Sequence, residues 1–546
     1  MSAGVLDLWV RDKLADRIWN RDPLAFAPAR GSDEVARAVL NRLGWLTAPG
    51  DMQAEVERVR RFAEDARAEG LDRVLLLGMG GSSLCAEVLR DVGGATPGWP
   101  DLVVLDTTDE GAIQRESARL DPARTLFIVA SKSGSTIEVT SLERYFRGVV
   151  ASALGAGAAG RRFAAITDPS TQLETHAREH GYREVFINPP DIGGRFSAVS
   201  LFGLVPAALL GIDLDNFLTS AHDAAEGCRQ NSAANPGLAL GAFMVESARA
   251  GRDKLTLLLP PAFQAFGLWV EQLVAESTGK HGVGLIPVTG EPAFEPGDYR
   301  ADRAFVVVST DEDRSREADA AALEKAGHAV MTISTRREHL GAEFFRWEFA
   351  TAAAGAGLSI NPFDEPNVKE AKDRTSALLA NRETLNRDRF SRSAPLSVLT
   401  ASGEDAGAGA LRELVRSVGA RDYVGLLVWL TPEPALEDAL QQVRAQITRA
   451  TGAATTVGIG PRYLHSTGQY HKGGPDTGVF IVITGEDATE TEVPGAGYSF
   501  SALKRAQALG DLQALAAHKR RVIRLHFGSA DVNAGPLLQD LVAGCW

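Results

Sequence analysis

A chain of 546 residues is too long for one hydrophobic core, and about three or four domains are expected. With 45% hydrophobic and 23% charged residues it has the composition of an ordinary globular protein, and a net charge of −13 excludes the basic face that general nucleic-acid binding needs. No run approaches the roughly 20 apolar residues that cross a bilayer, and Met1 to Arg11 lacks a basic segment followed by an apolar one, so a cytoplasmic protein without membrane contact is expected.

The first fifty residues carry Leu6, Leu8, Trp9, Leu14, Ile18 and Trp19 at helical spacings, which predicts a helical segment over 1–50 packed on the body of the protein. Apolar runs at Val74–Leu77, Leu102–Leu105, Leu126–Ala130 and Phe163–Ile166 then alternate with helical stretches such as Ser83–Asp91 and Thr136–Val149. This is the rhythm of βαβ units on a parallel sheet, and it places a doubly wound α/β domain over 51–217. Leu255–Leu259, a helix near Gly267–Ser277, Phe305–Ser309 and Val330–Ile333 repeat it in a second domain over 218–394, which an arginine-rich stretch from Asn381 to Ser393 leaves. Val424–Leu430, Thr455–Ile459, Val479–Thr484 and Val522–Phe527 read as strands, and Leu436–Ala450 and Ser501–His518 as helices, of a C-terminal α/β region over 395–546. The Ala/Gly-rich pieces 153–160 and 404–410 read as surface loops or helix caps.

Two turns stand out, Gly78-Met79-Gly80-Gly81-Ser82-Ser83 and Ser131-Lys132-Ser133-Gly134-Ser135-Thr136, each directly after an apolar run. A strand that ends in a tight turn and opens a helix aims unpaired N–H groups at one spot, and hydroxyls there add donors for a phosphate. Two such turns on one sheet suggest a phosphosugar pocket. The first has Ser83 where a dinucleotide fingerprint needs its last glycine, and the one Gly279-Lys280 pair is followed by His281, so neither that fingerprint nor a Walker loop is present. Cys85, Cys228 and Cys545 form no disulfide framework, and ten histidines lack zinc-site spacing, so chemistry without metal or cofactor is expected.

Four further stretches complete the pattern: Gly193-Gly194-Arg195-Phe196-Ser197, Gln272 through Glu276 to Lys280, Asn361-Pro362-Phe363-Asp364-Glu365-Pro366 through Lys372, and Leu464-His465-Ser466-Thr467-Gly468-Gln469. With Gly80 to Ser82 and Ser131 to Ser133 they resemble the motifs of glucose-6-phosphate isomerases, which are built on two sugar isomerase (SIS) domains. The segment Pro461 to Pro475 looks most like the isomerase part of bacterial bifunctional transaldolase/phosphoglucose isomerase proteins. A transaldolase half needs a TIM barrel of about 250 residues, for which the space before the first turn is too short. The resemblance implies two doubly wound parallel-sheet SIS domains plus the C-terminal α/β region, no cofactor, a small-molecule sugar phosphate as partner and a homodimer.

It also implies roles. Interconverting an aldose and a ketose 6-phosphate requires ring opening, then removal of a proton beside the carbonyl and its return one carbon away. A buried carboxylate with its pKa raised toward neutrality suits both transfers. By resemblance that base is Glu276, with Arg195 as the fixed cation for the enediolate and Gln272, one helical turn earlier, as a substrate-orienting group. His465 and Lys372 are the groups for ring opening, with His471 in reserve. His465 comes after both Glu276 and Lys372, whereas in the common isomerases the Leu-His-Ser motif falls between base and lysine; it is expected in the pocket, in cis or across a subunit interface. Gly81, Ser82, Ser131, Lys132, Ser133 and Thr136 are expected at the phosphate. Glu365 stands where the relatives carry glutamine and needs Lys372 or Lys369 to neutralise it beside a phosphosugar. Two rival readings share the fold: a related isomerase that also takes mannose 6-phosphate, and a non-catalytic sugar-phosphate sensor.

Overall fold

The computed structural model describes residues 4–26, 33–381, 385, 395–528 and 534–545. Three sheets organise them. β1 (Arg73–Gly78), β2 (Asp101–Leu105), β3 (Thr125–Ala130), β4 (Phe163–Thr167) and β5 (Glu184–Ile187) form the first, in the order β2-β1-β3-β4-β5 with every pair parallel. β6 (Lys254–Leu258), β7 (Ile286–Val288), β8 (Arg303–Thr310) and β9 (Ala329–Thr335) form the second, ordered β7-β6-β8-β9 and again parallel. The third joins β10 (Ser397–Leu399), β11 (Tyr423–Trp429), β12 (Ala454–Ile459), β13 (Gly478–Gly485) and β14 (Arg521–Phe527) in the order β10-β14-β13-β11-β12, with only β10 antiparallel.

Parallel strands covered by helices on both faces read as continuous apolar runs, and all six residues of β3 are buried. The winding is the same in all three sheets: the first parallel strand of each (β1, β6, β11) sends the chain to one neighbour and then, across itself, to the other. The carboxyl edge at that reversal is where open α/β sheets hold ligands. In the first sheet Gly78 pairs with Ala130, so the turns after β1 and β3 start side by side at this edge.

The N-terminal segment is helical, with Val5–Arg11, Leu14–Trp19 and Asp33–Leu40 among its elements. It packs on the body as expected: the Trp19 indole donates to Cys228 O at 3.2 Å, and Trp45 lies 5.3 Å from Phe196, ring to ring. The helix Gln264–Thr278 runs through the centre of the molecule, and all of its last ten residues are buried. Of the Ala/Gly-rich pieces, 156–159 is a short helix, and Gly407 begins the helix Gly407–Arg416. Of the stretch from Asn381 to Ser393 only Asn381 and Leu385 lie among the described residues. None of the described helices is long and apolar enough to cross a membrane.

Candidate active site

A cavity of about 290 Å³ opens where the turn after β1, the turn after β3, the Gly193–Phe196 segment, the central helix, the Phe363–Lys372 stretch and the His465 loop converge. Close approach of backbones builds it. A Cβ on Gly81 would lie 1.9 Å from Gly194 O, and one on Gly80, whose φ is +55°, 2.7 Å from Gln272 Nε2. Only glycine permits that meeting of two loops and a helix.

Glu276, 7% exposed, sits two residues before the end of the central helix. Burial lifts its carboxyl above the usual range; Arg195 opposes this and the charge of Glu365 adds to it. Arg195 Nη1 stands 3.5 Å from Glu276 Oε1 and 3.2 Å from Glu365 Oε2. The rest of the guanidinium donates to Ser277 Oγ at 2.8 Å, Pro362 O at 2.6 Å and Asp364 O at 3.0 Å, which fixes its plane. Glu365 is therefore neutralised by Arg195, not by Lys372 or Lys369 as expected, and Lys369 is exposed away from the cavity.

Gln272 Nε2 donates to Glu276 Oε2 at 3.2 Å and to His465 O at 2.8 Å. Its Oε1 is buried and accepts no hydrogen bond from the described residues. A buried acceptor without a donor is costly.

The third unit delivers His465 to the pocket from the same chain. Its Nε2 meets Glu138 Oε1 at 2.9 Å, and Gln507 Nε2 donates to the same oxygen at 2.7 Å while Gln507 Oε1 accepts from Thr108 Oγ1 at 2.8 Å. Burial raises the Glu138 carboxyl, but His465, its hydrogen bonds and the charge of Lys372 outweigh that and hold it below the usual range. His471 is not at the site: it is 2% exposed, hydrogen-bonded to Tyr423 OH at 2.8 Å, and burial pushes its ring well below the ordinary histidine range. Lys372 lines the cavity and also a smaller annex of about 190 Å³ shared with Ser133, Thr136 and His465.

At the other end stand Gly81, Ser82, Lys132, Ser133 and Thr136. Thr136 caps the helix Ile137–Leu154 without a side-chain bond to its N–H groups. Ser131 departs from expectation: its hydroxyl bonds Thr136 Oγ1 at 3.1 Å, accepts from Gly134 N at 3.2 Å and faces the turn, not the cavity. The N–H groups of Ser82 and Ser83 are likewise spent on Met79 O and Gly80 O. Lys132 forms an ion pair with Asp168 and donates to Pro190 O at 2.9 Å.

Three buried ionisable groups close to the expected residues fall outside the sequence expectations. Glu138 follows the second turn by two residues, a signal that was available. Lys280, whose ammonium is pushed down to about 8 by burial and the like charge of Arg195, ties Asn361 O (2.6 Å) and Asp364 into the loop that holds Arg195. Glu271, on the far face of the central helix, is raised to about 7 by burial and accepts from Ser466 Oγ at 3.3 Å. It borders a larger cavity of about 500 Å³ that contains none of the expected site residues, so volume alone does not select the site.

The geometry agrees with what the chain is similar to. A family model described as phosphoglucose isomerase matches residues 50–284, a span that holds both turns, Arg195 and Glu276 and ends before Glu365, Lys372 and His465. A glucose-6-phosphate isomerase of Heliobacterium modesticaldum is 30% identical over 394 residues, 62% of this chain and 87% of that protein. One of Rubrobacter xylanophilus is 28% identical over 59% and 86% of the two chains. Among solved structures, a hypothetical protein of Thermus thermophilus shares the fold at a TM-score of 0.59 and 25% identity, over 69% of this chain and 96% of that one. A glucose-6-phosphate isomerase of Chlamydia trachomatis shares it at 0.53 and 18%, over 68% and 78%. The family model, the relatives and the cavity point the same way, and the chain belongs to the phosphoglucose isomerase family.

Proposed function

We propose that the chain interconverts glucose 6-phosphate and fructose 6-phosphate by an enediolate route carried by the residues around the 290 Å³ cavity. The observation that carries the reading is the buried Glu276, with a raised pKa, beside an immobilised Arg195 and the unpaired Oε1 of Gln272. The phosphate sits against Gly81, Ser82, Ser133 and Thr136 and the N-terminus of Ile137–Leu154. His465, oriented by Glu138, moves the proton between the anomeric hydroxyl and the ring oxygen, with Lys372 beside it, and the ring opens. Glu276 takes the proton from C2 of the open aldose; the electron pair moves to form the C1–C2 double bond, and Arg195 balances the charge on oxygen. The proton on O2 of the enediolate passes to O1, the same carboxylic acid returns its proton to C1, and the C1–C2 double bond collapses to a carbonyl at C2, which leaves the ketose.

A sensor has no need of this set of groups. The test is turnover of fructose 6-phosphate in a dehydrogenase-coupled assay; binding without turnover would favour the sensor. The proposal extends, on resemblance, to a homodimer in the cytoplasm, and light scattering of the purified chain tests the first.

A further inference from the structure

We infer that Arg42, on the N-terminal segment, is the cation that grips the substrate phosphate. The inference rests on the isomerase reading above and adds a residue that the motifs do not contain.

The cavity wall holds four permanent cations, Arg42, Lys132, Arg195 and Lys372. Two are already neutralised. Arg195 is spent on Glu276, Glu365, Ser277 and two carbonyls, and Lys132 on Asp168 and Pro190 O. Lys372 stands at the His465 end, where its charge acts on Glu138. A phosphomonoester carries about −1.5 to −2 charges at neutral pH. Around Ser82, Ser133 and Thr136 the hydroxyls supply donors and no charge, and the Lys132–Asp168 pair sums to zero.

Arg42 supplies what is missing. Among the described residues the only hydrogen bond of its guanidinium goes from Nη1 to Asn41 O, at 3.0 Å, and no carboxylate lies in ion-pair range. Its charge nevertheless reaches the phosphate end: burial raises the Asp168 carboxyl above its usual range, and the opposing cations are Lys132 and then Arg42. One Asp168 oxygen, Oδ1, is buried without a donor among the described residues.

The arm is held in place by the backbone. Arg42 N donates to Val39 O at 2.9 Å at the end of the helix Asp33–Leu40. The next residue, Leu43, forms an antiparallel bridge with Ile192, and Gly44 N donates to Asp191 O at 2.9 Å. A Cβ on Gly44 would lie 2.3 Å from Asp191 Oδ1, so the two segments meet closely there. The segment is thus clamped to the residues that lead into Gly193 and Gly194, and the Arg42 Cδ lies 3.5 Å from where a Cβ of Gly193 would be. A planar fork of N–H donors, partly buried and held at a phosphate turn, makes bidentate bonds that a lysine cannot reproduce.

The test measures KM and kcat for fructose 6-phosphate, together with the rise in melting temperature caused by inorganic phosphate, in wild type, Arg42→Ala and Arg42→Lys. Expected for Arg42→Ala is a KM raised about tenfold or more with kcat within about threefold, and a phosphate-induced shift at least halved. Arg42→Lys should recover part of both. If Arg42→Ala does not fold, Arg42→Gln, which keeps the arm along Gly193, carries the test. An unchanged KM and an unchanged phosphate shift would overturn the inference. If the wild type shows no turnover, the isomerase reading fails, and the phosphate shift still decides on Arg42.

Discussion

Two buried carboxylates, Glu276 on the 290 Å³ cavity and Glu138 on the 190 Å³ annex beside it, are pushed in opposite directions by their environments. Glu276 and Glu138 are both almost fully inaccessible and each has a cationic or protonatable neighbour. Glu276 stands above the usual carboxylate range because burial raises it and the charge of Arg195, 3.5 Å away and shared with Glu365, does not offset that. Glu138 is also raised by burial, yet stands below the range because His465 at 2.9 Å, its backbone hydrogen bond and the charge of Lys372 outweigh that. Burial alone therefore does not make a base. What separates a group that exchanges protons from one that anchors a histidine is how much of its charge the protein has already compensated.

The largest expected effect comes from removing the exchanger. Glu276→Gln keeps shape and burial and should lower kcat by about three or more orders of magnitude with KM little changed. Circular dichroism checks that the variant is folded.

Removing the anchor should cost less. Glu138→Gln leaves the His465 ring with a neutral partner, and a loss of about 10- to 100-fold in kcat is expected. The loss should be larger from the ring-closed sugar than from an open-chain analogue, since the proposed route gives ring opening to His465; equal losses would break the division of labour.

Glu365→Gln sharpens the comparison through pH. Arg195 then serves Glu276 alone and the repulsion from Glu365 disappears, so the Glu276 pKa falls. The carboxylate form of the base persists to lower pH, and the acid limb of kcat/KM moves down, while neutral-pH kcat stays within about threefold. A limb that stays in place or moves up contradicts the sharing of Arg195.

The smallest effect belongs to Gln507→Leu, which removes one hydrogen bond from Glu138 and leaves the Thr108 hydroxyl unpaired. A cost of about 1 kcal/mol in stability and up to fivefold in kcat is expected, read by denaturant melts and the coupled assay.

The sequence made the Glu276 side of this comparison legible and hid much of the other. Long apolar strands such as β1, β3, β11 and β13 announce themselves, and the turns after β1 and β3 follow from them. β7 and β10, at three residues each, are too short for any periodicity, and β5 opens on Glu184. Glu276 and Arg195 lie in motifs. The pairing of Glu138 with His465 spans 327 residues and depends on how the third unit docks on the first, which no local spacing encodes. Ser131 was expected to face a phosphate because it shares a turn with Ser133, yet its bond to Thr136 turns it inward. Arg42 has no motif around it and gains its place only through the bridge between Leu43 and Ile192.

The most direct test of the central claim, that Glu276 carries the proton between C1 and C2, is isomerisation in D2O followed by NMR of C2 in the glucose 6-phosphate formed after many turnovers. The account predicts that deuterium accumulates at C2 with the wild type and that folded Glu276→Gln shows neither turnover nor exchange. Product formed without any deuterium at C2, or exchange by Glu276→Gln at the wild-type rate, would contradict it.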